Sequence, residues 1–340
     1  MNAVADAAVE ARADASAALL RLRVAEVRDI AADIRLFELR APEGAVLPPW
    51  TPGAHLRLHL ADQLARSYSL CNTPQQRDSY FIAVKRETAS RGGSAHLHAK
   101  VREGDFLLAA PPGNAFALEE DARAPLLLAA GIGITPIYAM AADLAQRGRR
   151  HRVHYFARSL GHAAFFHELA AMPAGLSLHL GLDAVETEAA VGAALAAAAI
   201  STPLYLCGPA PFIDAARRCA QRRGWRDADV HFELFAAPGG NAAAPVDLAG
   251  ADGAFELVLQ RSGVSCVVPP GQSIVAAAAR AGVQIATSCG EGFCGSCESA
   301  VLEGIPEHRD SVLSAAEKSS GRRIMPCVSR CAGARLVLDL

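Results

Sequence analysis

Four cysteines near the C-terminal end of the chain constrain its fold and chemistry more than any other feature. They are Cys289, Cys294, Cys297 and Cys327. Three thiols on one tight loop and a fourth thirty residues later have the spacing of a plant-type [2Fe–2S] site. Gly290, Gly292 and Gly295 allow sharp turns that point backbone N–H groups at the cluster sulfurs. We therefore predict an iron–sulfur cluster rather than structural zinc, which usually uses two C-x2-C knuckles.

The remaining composition narrows the class of protein. The chain has 340 residues, which predicts two or three domains, and its net charge of −2 gives no sign of a nucleic acid or an anionic membrane as partner. Nine cysteines, an odd number, do not indicate a disulfide scaffold. Free cysteines and a reduced cluster both suit the reducing cytoplasm, which is the location we predict. One of them, Cys331, lies four residues after Cys327 and is a competing fourth ligand.

No segment is predicted to enter a membrane. The N-terminal residues lack a basic stretch followed by an apolar one, so we expect no signal peptide. The apolar run at 125–142 approaches membrane-spanning length, but Gly131, Gly133 and Pro136 interrupt it. It therefore predicts a buried strand, a loop and a helix.

The pattern of apolar residues divides the chain into segments. Period-two strings such as IRLFELR and YFIAVKR predict an antiparallel barrel, and alternating strands and helices then predict a doubly wound parallel α/β sheet. An Ala/Gly/Pro-rich stretch that could not form a core reads as a linker. The predicted segments are a mobile tail at 1–18, the barrel at 19–120, the α/β domain at 121–235, the linker at 236–253 and the cluster domain at 254–340.

Two strings in the barrel segment predict a pocket for a ring with a phosphorylated tail. In Arg66-Ser67-Tyr68-Ser69, the arginine suits a phosphate and the tyrosine suits stacking on a flat ring. The second string, Gly92-Gly93-Ser94, opens a predicted helix, whose N-terminal N–H groups favour an anion. Each string alone is a weak signal, because surface pairs and glycine turns of this kind are common.

Two further strings lie where strands of the α/β segment end, which is the edge at which such sheets bind ligands. Gly131-Ile-Gly133-Ile-Thr135 joins a buried strand to a helix and would let a pyrophosphate approach the backbone, although it is only part of the dinucleotide fingerprint. Cys207-Gly208-Pro209 ends a later strand, so Cys207 is either a residue facing a nicotinamide or an ordinary buried cysteine.

In this order and spacing the strings carry a family resemblance. RSYSLCN (66–72), RGGS (91–94), AAGIGITPI (129–137), CGP (207–209) and HFELF (231–235) precede the cysteine loop. The chain resembles the phthalate dioxygenase reductase family over about residues 20–340. The resemblance implies an FMN-binding barrel, an NAD-binding domain and a plant-type ferredoxin domain with the β-grasp fold. It also implies electron transfer from NADH through FMN and a [2Fe–2S] cluster to a Rieske-type oxygenase of aromatic compounds.

The resemblance also assigns roles to residues. Arg66, Tyr68 and Ser69 would contact the flavin, and Gly92, Gly93 and Ser94 its phosphate; Gly131, Gly133, Thr135, Cys207, Gly208 and Pro209 would line the nicotinamide nucleotide. Phe235 would lie near the flavin, and Cys207, Thr135 and Phe235 form the predicted catalytic set. The resemblance favours Cys327 over Cys331 as the fourth cluster ligand.

The chain departs from the family pattern at two positions. Gly113 stands where the family often has an arginine, which removes a cation expected near the flavin. Relatives often have Ser-x-x-Arg after the second strand of the nucleotide domain, whereas this chain has Ser159-Leu-Gly-His162. Because a 2′-phosphate is best held by a guanidinium, this change favours NADH over NADPH, although Arg158 is nearby. We expect Ser159 to lie at the nucleotide site.

The sequence is also compatible with two other functions. Very similar reductase modules serve haem-thiolate monooxygenases, so the electron acceptor could be of that kind. An iron–sulfur redox sensor would need neither a flavin site nor a nucleotide site, and the strings predict both.

Overall fold

The computed structural model describes residues 19–340, with gaps. The residues outside the description are 43–44, 61–63, 89, 91, 121–123, 174, 236–252, 286, 288–289, 291, 293–294, 296, 311 and 314. The predicted tail at 1–18 and all but the last residue of the predicted linker at 236–253 lie outside the described residues, as do Cys289 and Cys294.

The first described region is an antiparallel sheet that closes on itself. Its strands are β1 (Leu20–Ala31), β2 (Ile34–Arg40), β3 (His55–His59), β4 (Ala65–Ser69), β5 (Ser79–Lys85) and β6 (Phe106–Ala109), in the order β4-β3-β6-β1-β2-β5. A bridge between Leu70 and Ile82 joins the two edge strands, so the predicted barrel is confirmed. Helix α1 (Gly93–Lys100) lies between β5 and β6.

Alternation along the strands fills the interior of the barrel. On β1, Leu22 and Val24 are fully buried, whereas Arg21 and Arg23 face outward. The inward side chains pack with Phe37, Leu56 and other residues of a single cluster.

The second region is a parallel sheet with helices on both faces. Its strands are β7 (Leu126–Ala130), β8 (Arg152–Ala157), β9 (Leu176–Leu180), β10 (Leu204–Gly208) and β11 (Val230–Leu234), in the order β11-β10-β7-β8-β9. Its helices are α2 (Ile134–Gln146), α3 (Phe166–Ala170), α4 (Ala184–Ala196) and α5 (Ala210–Arg222). This is the predicted doubly wound sheet. The apolar run at 125–142 forms β7, a 3-10 turn and most of α2, as predicted.

The barrel and the parallel sheet share one apolar core. Ile34 and Leu36 of the barrel belong to the same buried cluster as Leu127 and Cys207 of the sheet and Ile137 of α2. A continuous core resists relative motion of the two regions, because separating them would expose apolar surface to water. The strand ends of the sheet are therefore held in place against the barrel.

The third region is a small mixed sheet with a separate core. Its strands are β12 (Phe255–Leu259), β13 (Val264–Val268), β14 (Ser299–Glu303), β15 (Pro306–Glu307), β16 (Arg323–Ile324), β17 (Arg330–Cys331) and β18 (Arg335–Leu338), and its helices are α6 (Ile274–Arg280) and α7 (Ala315–Ser320). Among the described residues, β13-β12-β18-β14-β16 form one sheet and β15-β17 a second. The α+β ferredoxin fold is confirmed. The strings FELVLQ, SCVVP and LVLDL predict β12, β13 and β18, whereas no string predicts β14 to β17.

Within the described parts of the chain, no helix combines the length and the apolar character needed to cross a membrane. The boundaries that the sequence assigns to the three domains stay predictions.

Candidate functional site

The hairpin β3–β4 presents the predicted flavin residues on its two faces. Tyr68 pairs with Leu56 and Ser69 with His55, so Arg66 and Tyr68 point to one face and Ser67 and Ser69 to the other. Tyr68 is partly buried, and desolvation raises its pKa, which keeps the phenol neutral. Its ring is therefore an uncharged surface suited to stacking.

The start of α1 lies directly against these side chains. A Cβ added to Gly93 would come within 2.6 Å of Cγ of Arg66 and 2.9 Å of the Tyr68 hydroxyl, so only glycine permits this approach. The fold thus brings Arg66, Tyr68 and the Gly92-Gly93-Ser94 turn together. A cradle of backbone N–H groups beside a guanidinium has the chemistry to hold a phosphate.

The sequence did not single out Ser90, which organises this turn. Its hydroxyl accepts hydrogen bonds from the amides of Gly92 and Ala95, both at 3.2 Å. Ser94 donates to the Ser90 hydroxyl at 3.0 Å and accepts from the Glu87 amide at 3.2 Å. A serine two residues before the predicted helix start is the signal that could have identified Ser90, because serine hydroxyls often bond nearby backbone groups.

The predicted nucleotide strings meet at the carboxyl edge of the parallel sheet. Strands β7 and β10 are adjacent, with Cys207 opposite Ala129, so the turn after β7 lies beside the end of β10. A Cβ on Gly133 would lie 2.3 Å from the carbonyl oxygen of Cys207 and 2.6 Å from the amide nitrogen of Gly208. Gly133 is therefore required for this contact between the two strand ends.

Other predicted nucleotide residues occupy the same edge with different surroundings. Thr135 is buried, and its hydroxyl donates to the carbonyl of Ile132 at 3.1 Å, which stiffens the turn. Ser159 follows β8 and forms a 2.8 Å hydrogen bond with His162 on the exposed surface. Pro209 precedes the first turn of α5, where its missing N–H is not needed.

A carboxyl group joins the flavin hairpin to the nucleotide edge. Glu233 of β11 pairs with Cys207 of β10, and its Oε2 lies 3.4 Å from the hydroxyl of Ser69, which donates to it. Desolvation raises the pKa of Glu233 to about 8, although Ser69 opposes the shift. Desolvation and then the nearby Glu233 raise the pKa of Cys207, so the sulfur remains a thiol.

Glu233 was missing from the sequence-based site, although it lies inside the quoted HFELF string. An acidic residue between the apolar Phe232 and Leu234 is the signal that could have found it. Phe235 follows two residues later and packs, partly buried, against the core that the barrel and sheet share.

Two of the predicted cluster ligands lie side by side. The sulfurs of Cys297 and Cys327 are 3.2 Å apart, too far for a disulfide but close enough to share one metal, because metal–thiolate bonds are about 2.3 Å long. Cys331 is buried elsewhere: its thiol donates to the Arg335 carbonyl and accepts from the Gly333 amide. The donor geometry fits a cluster that uses Cys327 rather than Cys331.

The glycines of the cluster loop adopt the left-handed conformation. Gly290, Gly292 and Gly295 have φ of 68°, 74° and 75°, which other residues rarely adopt. Gly292 also packs closely on Val328, the residue after Cys327, since a Cβ there would lie 2.5 Å from a valine methyl group. The absence of a side chain at Gly292 therefore lets the loop pack beside the segment that carries Cys327, the fourth predicted ligand.

Comparison with known proteins supports this arrangement. A family model described as a 2Fe-2S iron-sulfur cluster binding domain matches residues 257–332. Another, the N-terminal domain of DmmA-like dimethylamine monooxygenase subunits, matches residues 107–230. The phthalate dioxygenase reductase of Burkholderia cepacia is 38% identical over 324 residues, which cover 94% of this chain and 97% of that protein. The chain belongs to the phthalate dioxygenase reductase family. This is a family of oxidoreductases, as predicted, and the cluster is confirmed over the zinc alternative.

Within the phthalate dioxygenase reductase family, the chain is similar to the reductase components of vanillate O-demethylases. A vanillate O-demethylase oxidoreductase of Pseudomonas putida is 41% identical over 92% of this chain and 97% of its own length. A solved phthalate dioxygenase reductase, described as a modular structure for electron transfer from pyridine nucleotides to [2Fe–2S], aligns with a TM-score of 0.67 and 38% identity over 95% of this chain and 98% of that one.

Some relatives are much longer than this chain. It spans 51% of oxidoreductase NdmD of Pseudomonas putida, to which it is 38% identical. It also covers 41% of an intact type IV self-sufficient cytochrome P450 monooxygenase, with a TM-score of 0.76 and 32% identity. The same arrangement of reductase modules therefore occurs within larger polypeptides.

Proposed function

We propose that this chain is an NADH-dependent reductase that delivers electrons, through FMN and a [2Fe–2S] cluster, to a Rieske-type oxygenase or O-demethylase of aromatic compounds. The observation that carries the proposal is the junction of Ser69, Glu233 and Cys207. It joins the hairpin that would hold the flavin to the strand end that would hold the nicotinamide. Hydride transfer needs these two rings in contact, and the shared core holds both elements in place.

A flavin bound here would accept an electron pair as hydride and release electrons singly, as a one-electron cluster requires. Arg66 and the start of α1 would hold its phosphate, and Tyr68 would stack on its ring. Cys207 stays a thiol and contributes contact rather than nucleophilic attack. The raised pKa of Glu233, about 8, favours its neutral form at neutral pH, so it adds little negative charge at this junction.

The nucleotide would lie along the edge formed by the Gly131–Gly133 turn, Cys207, Gly208 and Pro209, with Ser159 toward its ribose. A cytoplasmic location suits both NADH and the reduced cysteines. We assign the cluster to Cys289, Cys294, Cys297 and Cys327. Contacts between electron-transfer partners are small, so we expect a transient complex with the oxygenase.

The experiment is an anaerobic titration of purified protein whose iron, acid-labile sulfide and extracted flavin have been measured. We expect NADH, at lower concentration than NADPH, to bleach the flavin and cluster bands. Loss of neither band with NADH would contradict the proposal and favour a redox sensor. Extraction of FAD in place of FMN would correct the flavin assignment.

A haem-thiolate acceptor is the second candidate, because the chain aligns with part of a self-sufficient cytochrome P450. Purified Rieske oxygenases and cytochromes P450 can be compared as acceptors by their NADH consumption and product formation. If a cytochrome P450 turns over and none of the tested Rieske oxygenases does, the second candidate is correct.

A further inference from the structure

One face of the β3–β4 hairpin contacts both of the other regions of the molecule. Arg57 pairs with Ser67 and His55 with Ser69, so Arg57 and Ser69 point from the same face, two positions apart along the hairpin. Ser69 reaches Glu233 of the parallel sheet at 3.4 Å. On the other side, Nη1 of Arg57 donates to the backbone carbonyl of Thr287, in the cluster region, at 3.3 Å.

The position of Thr287 places this contact beside the proposed cluster ligands. Thr287 precedes the first proposed cluster ligand, Cys289, by two residues. Arg57 lies across from Ser67 on the strand proposed to hold the flavin, on the face that also carries Ser69 and opposite the face of Arg66 and Tyr68. One side chain thus connects the flavin hairpin to the beginning of the cluster loop.

The base of the Arg57 side chain is well fixed. Its backbone lies inside β3, between β4 and β6, and its carbonyl accepts from the amide of Ala110 at 3.0 Å. The side chain is partly buried, and its guanidinium is a planar donor well suited to a backbone carbonyl. A charged donor fixed in this way to a carbonyl changes the equilibrium between contact and separation by about tenfold or more.

We propose that Arg57 is a positioning residue that holds the cluster loop against the flavin hairpin for electron transfer. This inference rests on the proposed function. The step concerned moves one electron from reduced flavin to the oxidised cluster, with no bond made or broken, and NADH supplies the electron pair. The hydrogen bond from Arg57 to Thr287 is strong enough to favour the contact and weak enough to break when the cluster meets its acceptor.

The test compares Arg57→Ala, Arg57→Lys and Arg23→Ala by anaerobic stopped-flow mixing of the loaded protein with NADH. Arg23 is an exposed arginine on β1, which β6 separates from β3 in the barrel sheet, so its replacement removes the same charge from a different strand. In Arg57→Ala we expect unchanged flavin reduction and cluster reduction slowed about tenfold, from the loss of the charged hydrogen bond to Thr287. Lysine, which can still donate to a carbonyl, should restore most of the rate.

Hydrogen–deuterium exchange gives a readout that does not need electron flow. Amides of residues 283–299 should exchange faster in Arg57→Ala than in the wild type or in Arg23→Ala. Wild-type cluster reduction and exchange in Arg57→Ala would overturn the inference, and so would an equal slowing of flavin and cluster reduction. If NADH fails to reduce the wild-type flavin, the proposed function fails, and the exchange result alone then decides whether Arg57 holds the loop.

Discussion

Replacing Gly133 with alanine tests the packing on which the nucleotide edge depends. The new Cβ would lie 2.3 Å from the carbonyl oxygen of Cys207, whereas real Cβ atoms essentially never approach other heavy atoms within 3.0 Å. The obstructing atoms are backbone atoms of a central strand and cannot rotate away. The turn and the strand end must therefore separate by about 0.7 Å.

The cost of this separation is steric. Gly133 has φ of −59°, which alanine adopts without strain, so the whole effect comes from overpacking. Overpacking of this kind costs about 1–3 kcal/mol in the free energy of unfolding. The displaced residues are those proposed to line the nicotinamide nucleotide. We expect the KM for NADH to rise about tenfold or more, because a loss of about 1.4 kcal/mol in binding free energy weakens binding tenfold.

Gly131→Ala is the matched control. Its Cβ would meet nothing within 4 Å, but its φ of 56° is left-handed, which costs alanine about 1–2 kcal/mol. We therefore expect it to lower the thermal midpoint as Gly133→Ala does, while raising the KM for NADH less. The assays are thermal unfolding and NADH-dependent ferricyanide reduction. Equal KM values for the two variants, or a wild-type KM in Gly133→Ala, would refute the steric reasoning.

Three more predictions address other parts of the molecule. Cys327→Ser should lose the visible absorbance of the cluster, whereas Cys331→Ser should retain it, because the Cys331 thiol is bonded to backbone groups; the reverse spectra would exchange the two roles. The wild type should lose stability relative to Glu233→Gln as pH rises from 4.5 to about 8, because the folded carboxyl keeps a proton that the unfolded one releases. Chemical denaturation at several pH values measures the two free energies of unfolding. A difference that stays constant with pH would contradict the raised pKa. Arg330, almost fully buried, donates to three backbone carbonyls, so Arg330→Ala should destabilise the cluster region by about 3 kcal/mol or more; an unchanged melting temperature would contradict this.

The sequence predicted the elements that have strong local signals. The period-two strings RLRVAEV, IRLFELR, AHLRLHL and YFIAVKR became β1, β2, β3 and β5. The buried run with Gly131 and Gly133 became a strand, a turn and a helix. These succeeded because burial on one face imposes a period that the sequence records. The cysteine spacing predicted the [2Fe–2S] cluster correctly, because binding a cluster requires thiols at spacings that few other constraints would produce. The choice of its four ligands stays a prediction.

The strands and residues that were missed depend on contacts between distant parts of the chain. β15, β16 and β17 have two residues each, too few to show a period. Arg57 alternates with buried leucines as any outward strand residue would, and only the fold places it at the carbonyl of Thr287. Ser90 was within reach of sequence reasoning, since serine hydroxyls often bond nearby backbone groups, but its hydrogen bonds depend on the turn that follows.

The three regions differ in how firmly they are attached, and this difference suits a relay. The barrel and parallel sheet share a buried core, so the elements proposed for hydride transfer keep a fixed geometry. The cluster region has a core of its own, and Arg57 meets it through a polar contact on the surface of the hairpin. Hydride transfer requires close and constant alignment, whereas a cluster that also serves an outside acceptor must be able to leave the flavin. A hydrogen bond meets the second requirement, because it can break at a cost far below that of opening an apolar core.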